Sequence, residues 1–289
     1  MKFGLTAQCL LCHFNRNVQK AQALGDDKTA AAFARELMKV YLDAPEEEST
    51  TCLSPQITAL FQKYYGLNAD RYREEKERSN RFVLARMDAL RQKIAQAPDP
   101  LYAALQFAVL GNYIDFAALQ DQVDFGVLDG MLEKALATEL DREVYAALCQ
   151  ALTEGKRLLY LTDNAGEIGF DRLAAEEIAK RFPGLSITFC VRGGPAANDA
   201  TREDAQAVGI PFPVIDNGNT VPGTLPRLLG REAKAAMEAA DVILAKGQGN
   251  TETLYGWGYP VFYLFLVKCP LFEARFGKPQ FTPILTREP

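Results

Sequence analysis

From residue 156 onward, short apolar segments alternate with helical stretches, and this alternation constrains the fold more than any other feature. The apolar segments are RLLYLT, SITFCV, DVILA and VFYLFLV, with FPVID as a further candidate strand. Residues around 166–181 and 199–208 and the segment NTETLYGW have helical character. Strands that are separated by helices pair in parallel through right-handed crossovers. We therefore expect a Rossmann-like α/β domain with a mostly parallel sheet over residues 156–289.

Residues 1–155 differ, because apolar residues recur there at three- and four-residue spacing. TAAAFARELMKVYL and LYAALQFAVLGNYIDFAAL both show this helical period. DRYREEKERSNRFVLARMDALRQKIAQA is a long helical candidate, and its charged first half is typical of a solvated helix face. The predicted fold class is α/β, with a helical N-terminal domain over 1–155 and an α/β domain over 156–289 that carries the candidate site.

Composition and charge exclude several partners. The chain has 289 residues, a formal net charge of −5 and no dense block of Lys and Arg, so we expect no nucleic-acid partner. The apolar run VFYLFLV is too short to span a bilayer, and we expect no membrane partner. The first residues lack the apolar core of a secretory signal, and six cysteines are ordinary usage. We expect a cytoplasmic, reduced protein, and the oligomeric state stays open.

Three of the predicted strands end in clusters of acidic, amide and basic residues. The clusters are Asp163 and Asn164 after RLLYLT, Arg192, Asn198 and Asp199 after SITFCV, and Lys246 and Asn250 after DVILA. Ligands of open α/β sheets bind at the carboxyl ends of the strands. Because parallel strands end at the same edge of a sheet, we expect the three clusters to meet there.

These residue types suit a divalent cation and a phosphate. Carboxylate and amide oxygens bind Mg²⁺ or Mn²⁺, and Lys246 could neutralise a phosphoryl oxygen. A helix beginning near Glu167 would direct its positive end at an anion, and Gly247 and Gly249 would let main-chain N–H groups approach one. Each feature has an alternative: Asp163 and Asp199 as helix N-caps, Glu167 as a capping-box partner, Lys246 as a surface lysine, and KGQGN as a turn.

Four motifs resemble, in this order, those of the damage-control metal-dependent phosphatases: DNAGEIGFD, RGGPAANDAT, VIDNGNTVPGT and AKGQGNTETL. QCLLC, DPLYAALQFAVLGNYIDF and VKCP are similar to features of the family's short prokaryotic branch, so the resemblance covers nearly the whole chain. It implies a helical domain joined to a Rossmann-like domain. It also implies a divalent-metal-dependent phosphatase of phosphorylated metabolites, including sugar phosphates and phosphopantetheine-like compounds.

The same resemblance implies roles for individual residues. The metal ligands would be Asp163, Asn164 and Asp199, which would bind Mg²⁺, Mn²⁺, Co²⁺ or Ni²⁺. The catalytic candidates are Asp163, Glu167 and Lys246, with Lys246 as a phosphate or substrate contact. Further substrate-binding candidates are Arg192, Asn198 and Asn250. A metal-bound water is our preferred nucleophile, and the Asp163 carboxylate is the alternative.

Two N-terminal segments contain further candidates. GNYIDF places Asn112 and Asp115 near a helix end, where they either cap the helix or reach the substrate. CLLCH contains Cys9, Cys12 and His13, which could form a haem attachment motif, a zinc site or a redox pair. We favour two partly buried thiols, because no signal peptide and no second C-x-x-C accompany them.

Two other functions stay open. One is an S-adenosylmethionine-dependent carboxyl methyltransferase, which a Rossmann-like domain would suit, and the other is a non-catalytic protein that binds phosphorylated metabolites. The first strand is followed by TDNAGE, where a methyltransferase would carry a glycine-rich loop. The motif G-x-G-x-x-G is absent, which argues against an NAD-dependent dehydrogenase.

Overall fold

Helices precede the first strand, as predicted for residues 1–155. The computed structural model describes residues 3–115 and 123–288, so residues 116–119 of one predicted helix lie outside the described residues. The helices are α1 (Ala7–Leu24), α2 (Asp27–Leu42), α3 (Ser54–Tyr65), α4 (Arg73–Leu84), α5 (Met87–Gln96), α6 (Pro100–Gly111), α7 (Phe125–Glu133) and α8 (Arg142–Glu154). None of the helices in these two described ranges combines the length and apolar content that a membrane span requires.

Strands and helices then alternate. They are β1 (Arg157–Leu161), α9 (Glu167–Arg181), β2 (Ser186–Val191), α10 (Arg202–Ala207), β3 (Val214–Asp216), α11 (Arg231–Ala239), β4 (Val242–Lys246), α12 (Gly247–Leu254), β5 (Val261–Leu266), α13 (Pro270–Phe276) and β6 (Pro283–Arg287). The strand order is β3-β2-β1-β4-β5-β6, and β6 alone runs antiparallel, to β5. The predicted α/β class and mostly parallel sheet are confirmed, and α11, α13 and β6 are elements that we did not predict.

The order of the strands locates the ligand-binding edge. From β1 the chain first adds β2 and β3 on one side, and then crosses to add β4 and β5 on the other. This is the doubly wound order, in which a crevice opens at the carboxyl ends of the two central strands. Leu161 of β1 pairs with Cys190 of β2 and Ala245 of β4. The three predicted strand-end clusters therefore start at the same level.

Apolar side chains cover both faces of the sheet. Helix α6 is buried from Leu101 to Gly111 and packs against α9 in one hydrophobic cluster, together with Leu158 and Tyr160 of β1. Leu159 and Leu161 point to the opposite face and its cluster with α11–α13. Helices α1–α3 have a separate cluster. The first cluster contains residues from both sides of the expected 155/156 boundary, and the division into two domains there stays a prediction.

The charged segment 70–97 departs from its prediction in one respect. It forms two helices, α4 and α5, and the charged side chains of Arg73, Glu77 and Arg81 are exposed as expected for a solvated face. The other face of α4, however, carries buried polar residues, at 76, 79 and 80. The predicted solvated face is therefore present, and the opposite face of α4 contacts the α/β core.

Candidate active site

The loops that follow β1 and β2 lie against each other. The main-chain N–H of Ala200 donates to the carbonyl of Asp163 at 2.7 Å, and Asn164 and Asp199 form an isolated antiparallel bridge. Asp163, Asn164 and Asp199 are all buried. The structure thus brings together the three side chains that the sequence analysis assigned to a metal, although the assignment itself stays a prediction.

The capping alternatives do not hold for the two aspartates. Helix α9 has Gly166 at its N-cap, and α10 has Thr201, so Asp163 and Asp199 precede the caps. Glu167 does partly fit a capping role, because its Oε2 accepts from the main-chain N–H of Asn164 at 3.4 Å. KGQGN is not a turn either, since α12 begins at Gly247.

Asp163 occupies the centre of the site. Its Oδ2 accepts hydrogen bonds from the side-chain amides of Asn112 at 3.0 Å and Asn164 at 2.8 Å. Gly247 lies directly beside it, in the left-handed region (φ 79°), and a Cβ at that position would approach Oδ2 of Asp163 to 2.0 Å. The first turn of α12 can therefore contact the carboxylate only because residue 247 has no side chain.

Lys246 is fully buried beneath this carboxylate, and the surface-lysine alternative is wrong. Its ammonium donates to the carbonyl of Ala108 at 2.9 Å, to Glu167 at 2.8 Å and to Asp171 at 2.6 Å. An ammonium has three N–H donors, so these contacts use all of them. The predicted contact between Lys246 and a substrate phosphate stays a prediction, and in this arrangement the lysine neutralises protein carboxylates.

Arg192 and Asn250 form a second buried network. Arg192 donates to Asp199 at 2.6 Å and to the side-chain oxygen of Asn250 at 3.2 Å. Asn250 also donates to the carbonyl of Thr162 at 2.9 Å. Both side chains, predicted as substrate contacts, thus connect the ends of β1, β2 and β4 in the structure. This network fixes the orientation of the Asp199 carboxylate.

Two residues of GNYIDF reach the same site from the helical part of the chain. Asn112 donates to Glu167 at 2.9 Å as well as to Asp163, and its side-chain oxygen accepts from the main-chain N–H of Leu266. Asp115 pairs with Lys268 at 2.7 Å. Asn112 is also the C-cap of α6, so the capping alternative holds for it. The contacts of both residues are compatible with a contribution of α6 and its C-terminal turn to the site, and their role in substrate binding stays a prediction.

Burial raises the pKa of the acidic groups. The pKa of Asp163 lies well above its usual range, because of burial first and then the nearby charges of Glu167 and Asp199. Burial also raises the pKa of Asp199 to about 6 despite Arg192, and that of Asp171 to about 7 despite Lys246. The local cations therefore do not fully compensate the carboxylates.

This charge balance fits a divalent ion. Asp115 and Lys268 neutralise one another. In the part of the chain that the structure describes, four further carboxylates of the site lie close to the two cations Lys246 and Arg192. The four are Asp163, Glu167, Asp171 and Asp199. An excess of two negative charges remains. Among the described residues, the buried side-chain oxygen of Asn198 has no hydrogen-bond partner. The NH₂ group of the same side chain donates to the side-chain oxygen of Asn164 at 2.9 Å.

The donor set consists of oxygens, as hard divalent cations require. Within 3–115 and 123–288, no three His, Cys, Asp or Glu side chains are grouped so that they could hold a metal. A site here therefore needs the amide oxygen of Asn164 in addition to the carboxylates of Asp163 and Asp199. With that oxygen the residues fit an Mg²⁺-like ion.

The motifs that meet at this site match a family model over residues 5–282, described as the damage-control phosphatase ARMT1-like domain. The chain belongs to this family. It is 31% identical to a damage-control phosphatase from Pyrococcus horikoshii over 94% of each chain. A damage-control phosphatase from Archaeoglobus fulgidus is 33% identical over 69% of each chain.

A solved structure shares the fold of this chain. It is the crystal structure of a DUF89 family protein from Pyrococcus horikoshii, with a TM-score of 0.82 and 27% sequence identity. The match covers 98% of this chain and 99% of that one. The suspected family is therefore confirmed.

Two residues of the site were not predicted from the sequence. Asp171 lies one helical turn after Glu167 on α9, so both carboxylates face Lys246. Lys268 follows the carboxyl end of β5, where the rule that identified the other clusters would also have found it. Both signals were present in the motifs DNAGEIGFD and VKCP.

The cysteine pair lies outside this network. Cys9 is half-buried and Cys12 exposed on α1, and both are free thiols. His13 contacts the hydroxyl of Tyr41 at 2.9 Å, and burial lowers its pKa to about 4. Half-buried Cys9 agrees with the predicted pair of partly buried thiols, whereas exposed Cys12 does not. Within the described ranges, no third His, Cys, Asp or Glu side chain joins this pair in a group that could hold a metal.

We expect Cys9→Ser to leave function intact. The side chain is half-buried, and the substitution should change the free energy of unfolding by no more than about 0.5 kcal/mol. Metal-restored phosphate release should stay within about twofold of wild type, which is a change of no more than about 0.4 kcal/mol in the activation free energy. Steady-state kinetics would check this, and a large loss of turnover would assign the thiol a role in the site.

Proposed function

We propose that this protein is a divalent-metal-dependent phosphatase that hydrolyses phosphorylated metabolites, such as sugar phosphates or phosphopantetheine-like compounds, in metabolite damage control. Family membership and the two relatives that are named damage-control phosphatases support the reaction class. The observation that carries the proposal is the meeting of Asp163, Asn164 and Asp199 in a buried site with excess negative charge.

Asp163, Asn164 and Asp199 would hold the metal ion. When bound, a divalent ion supplies positive charge that binds phosphoryl oxygens and offsets the negative charge that grows on them in the transition state. The N-terminus of α12 adds main-chain N–H groups beside Asp163, and such groups favour an anion. Phosphate would thus meet positive potential from two directions.

Lys268 is the third source of positive charge that we assign to the substrate site. It follows β5, pairs with Asp115 and acts electrostatically on Asp163, whose pKa it lowers against the larger effect of burial. Lys246, in contrast, has its three donors occupied by protein acceptors. We propose that Lys268 contacts the phosphate and that Lys246 maintains the carboxylates below it.

A water molecule is the nucleophile that we propose. Both amide hydrogen bonds to Asp163 converge on Oδ2, and such bonds reduce the electron density available for attack by that oxygen. Asp163 would then act by holding the metal and orienting the water. A covalent aspartyl phosphate is the competing mechanism, and trapping of labelled phosphate on the protein would reveal it.

The test is phosphate release after metal removal. The protein would be stripped with a chelator, given Mg²⁺, Mn²⁺, Co²⁺ or Ni²⁺ in turn, and assayed with sugar phosphates, phosphopantetheine and p-nitrophenyl phosphate. We expect no turnover without metal and turnover with at least one ion. A folded protein that releases no phosphate with any ion would contradict the proposal. Labelled S-adenosylmethionine would then test the methyltransferase alternative.

A further inference from the structure

The two loops that carry the candidate metal ligands must keep a fixed distance from each other if side chains of both are to bind one ion. One loop, residues 162–166, follows β1, and the other, residues 192–201, follows β2. Main-chain bonds join them beside the ligands, where Ala165 donates to the carbonyl of Asn198 at 2.9 Å. Beyond that point the chain enters α9 and α10, and contacts from elsewhere must set the relative position of those helices.

Asn80 of α4 bridges the two helix starts. Its side-chain oxygen accepts from the main-chain N–H of Gly166 at 2.7 Å, and its NH₂ donates to Asp204 at 2.9 Å. Asn80 is only 4% exposed. Gly166 is the N-cap of α9 and has no side chain of its own to accept from N–H groups there. One amide from the helical part of the chain therefore contacts both helices.

Asp204 transmits this contact to the second loop. Its Oδ2 accepts from the main-chain N–H of Thr201, the N-cap of α10, at 2.8 Å. The same oxygen pairs with Lys76 at 2.7 Å, and both side chains are buried. Thr201 lies two residues after Asp199, as Gly166 lies two residues after Asn164. The bridge thus ends two residues from a candidate ligand on each side.

Close packing supports the polar bridge. A Cβ at Gly166 would come within 2.7 Å of the Cβ of Ser79, and one at Gly169 within 2.6 Å of Val83. Glycine at both positions lets α4 lie directly on the first turn of α9. The approach of the two helices leaves little freedom for Asn80 to move.

We propose that Asn80 is a positioning residue for the metal site, which holds the two ligand-bearing loops at the separation that a metal ion requires. This inference rests on the proposed function, because it assumes that Asp163, Asn164 and Asp199 bind the ion. Asn80 acts through Gly166 and Asp204 and touches neither metal nor substrate. Groups that hydrogen-bond metal ligands directly typically change metal affinity about 10–100-fold when they are removed, and for Asn80, which acts two residues away, we expect the lower end of that range.

The experiment compares Mn²⁺ binding by wild type, Asn80→Ala and Ser79→Ala, with free Mn²⁺ measured by electron paramagnetic resonance. Ser79 is the matched control, because it is the buried neighbour on α4 and its hydroxyl donates only within its own helix, to Glu75. We expect Asn80→Ala to bind Mn²⁺ about 10-fold more weakly. Ser79→Ala should match wild type.

Two further measurements separate positioning from general damage. At Mn²⁺ concentrations that saturate the variant, kcat of Asn80→Ala should return close to the wild-type value, whereas a distorted catalytic site would not recover. Asn80→Asp is the isosteric second variant: it keeps an acceptor for Gly166 but replaces the donor to Asp204 by a carboxylate. It too should bind Mn²⁺ more weakly.

The outcomes for the two proposals differ. Wild-type Mn²⁺ affinity in folded Asn80→Ala and Asn80→Asp, or an equal loss in Ser79→Ala, would overturn the role of Asn80 and leave the proposed function intact. Absence of Mn²⁺ binding by wild type would overturn the proposed function and the role of Asn80 with it. Metal binding without phosphate release would contradict the proposed function alone.

Discussion

Asp163→Asn is expected to abolish metal-restored phosphate release. The substitution keeps the size of the side chain and removes the charge that lies at the centre of the candidate metal site. Metal ions contribute several kcal/mol to stabilisation of the transition state, and a loss of about 4 kcal/mol lowers kcat/KM on the order of 10³-fold. Phosphate release from p-nitrophenyl phosphate at saturating metal would measure it.

The same variant should lose no thermal stability in the absence of metal, although it loses activity. Burial and like charges raise the pKa of Asp163 above its value in the unfolded chain, so the ionised carboxylate destabilises the metal-free fold near neutral pH. The neutral amide of the variant removes that repulsion, and the metal-free variant should unfold at the same or a higher temperature. Wild type should gain about 2.7 kcal/mol from metal at 100 times its Kd, and the variant should gain none.

Asp241→Asn is the matched control for charge. Asp241 precedes β4, at the opposite end of the strands, where it accepts from the main-chain N–H groups of residues 156 and 157. Its loss should leave phosphate release and the metal-induced gain in stability unchanged. If Asp163→Asn keeps both the activity and the metal-induced gain, then the assignment of the metal site to Asp163 is wrong.

Lys246→Met should reduce stability more than any other single change at this site. Methionine fills a similar volume but leaves the carboxylates of Glu167 and Asp171 buried without their cation. Removal of one partner from a buried ion pair costs about 3–5 kcal/mol. Chemical denaturation would measure this loss in the free energy of unfolding.

The loss should depend on pH. Without the ammonium, the pKa of Asp171 in the folded protein would rise further above its unfolded value. A carboxyl group whose pKa is higher in the folded than in the unfolded protein stabilises the fold at low pH, and this stabilisation is lost as the pH rises through the folded pKa. The difference between wild type and Lys246→Met should therefore be smaller near pH 5 than near pH 8.

The ion pair of exposed Lys180 with half-buried Glu177 provides the control. Lys180 is 65% exposed, and Lys180→Met should alter stability by less than about 1 kcal/mol. A double-mutant cycle that combines Lys246→Met with Asp171→Asn should show a coupling energy of about 0.5–3 kcal/mol, because the side chains of Lys246 and Asp171 are in contact. If Lys246→Met is instead as stable as wild type and shows only a raised KM, Lys246 contacts the phosphate.

Most of the candidate site could be predicted because one rule applies to every parallel strand: the residues just beyond its carboxyl end face the ligand. That rule places Asp163, Arg192 and Lys246 at one edge without any knowledge of the strand order. The depth of burial could not be predicted in the same way. Lys246 appears in a glycine-rich segment, and only its packing against α6 and α9 shows that its ammonium is fully enclosed.

Features that depend on distant contacts were missed for a physical reason. Asn80 and Asp204 are 124 residues apart, and no local pattern in a charged helix indicates which of its polar side chains will be buried. Helix α11 has only nine residues and buries only Ala233 and Met237, so its apolar face is small. Strand β6 begins with a proline and pairs on one edge only, which gives little alternation to detect.

The residue that position 247 can hold depends on the residue at position 163. The left-handed backbone of Gly247 and the 2.0 Å approach of its missing Cβ to Asp163 exclude side chains for as long as the aspartate is present. In a related chain that has lost Asp163, the contact with the carboxylate would no longer exclude a side chain at position 247, and only the left-handed backbone would still disfavour one. A larger residue at 247 would then mark a lineage in which the site has decayed, and glycine together with aspartate would mark one in which selection still maintains it.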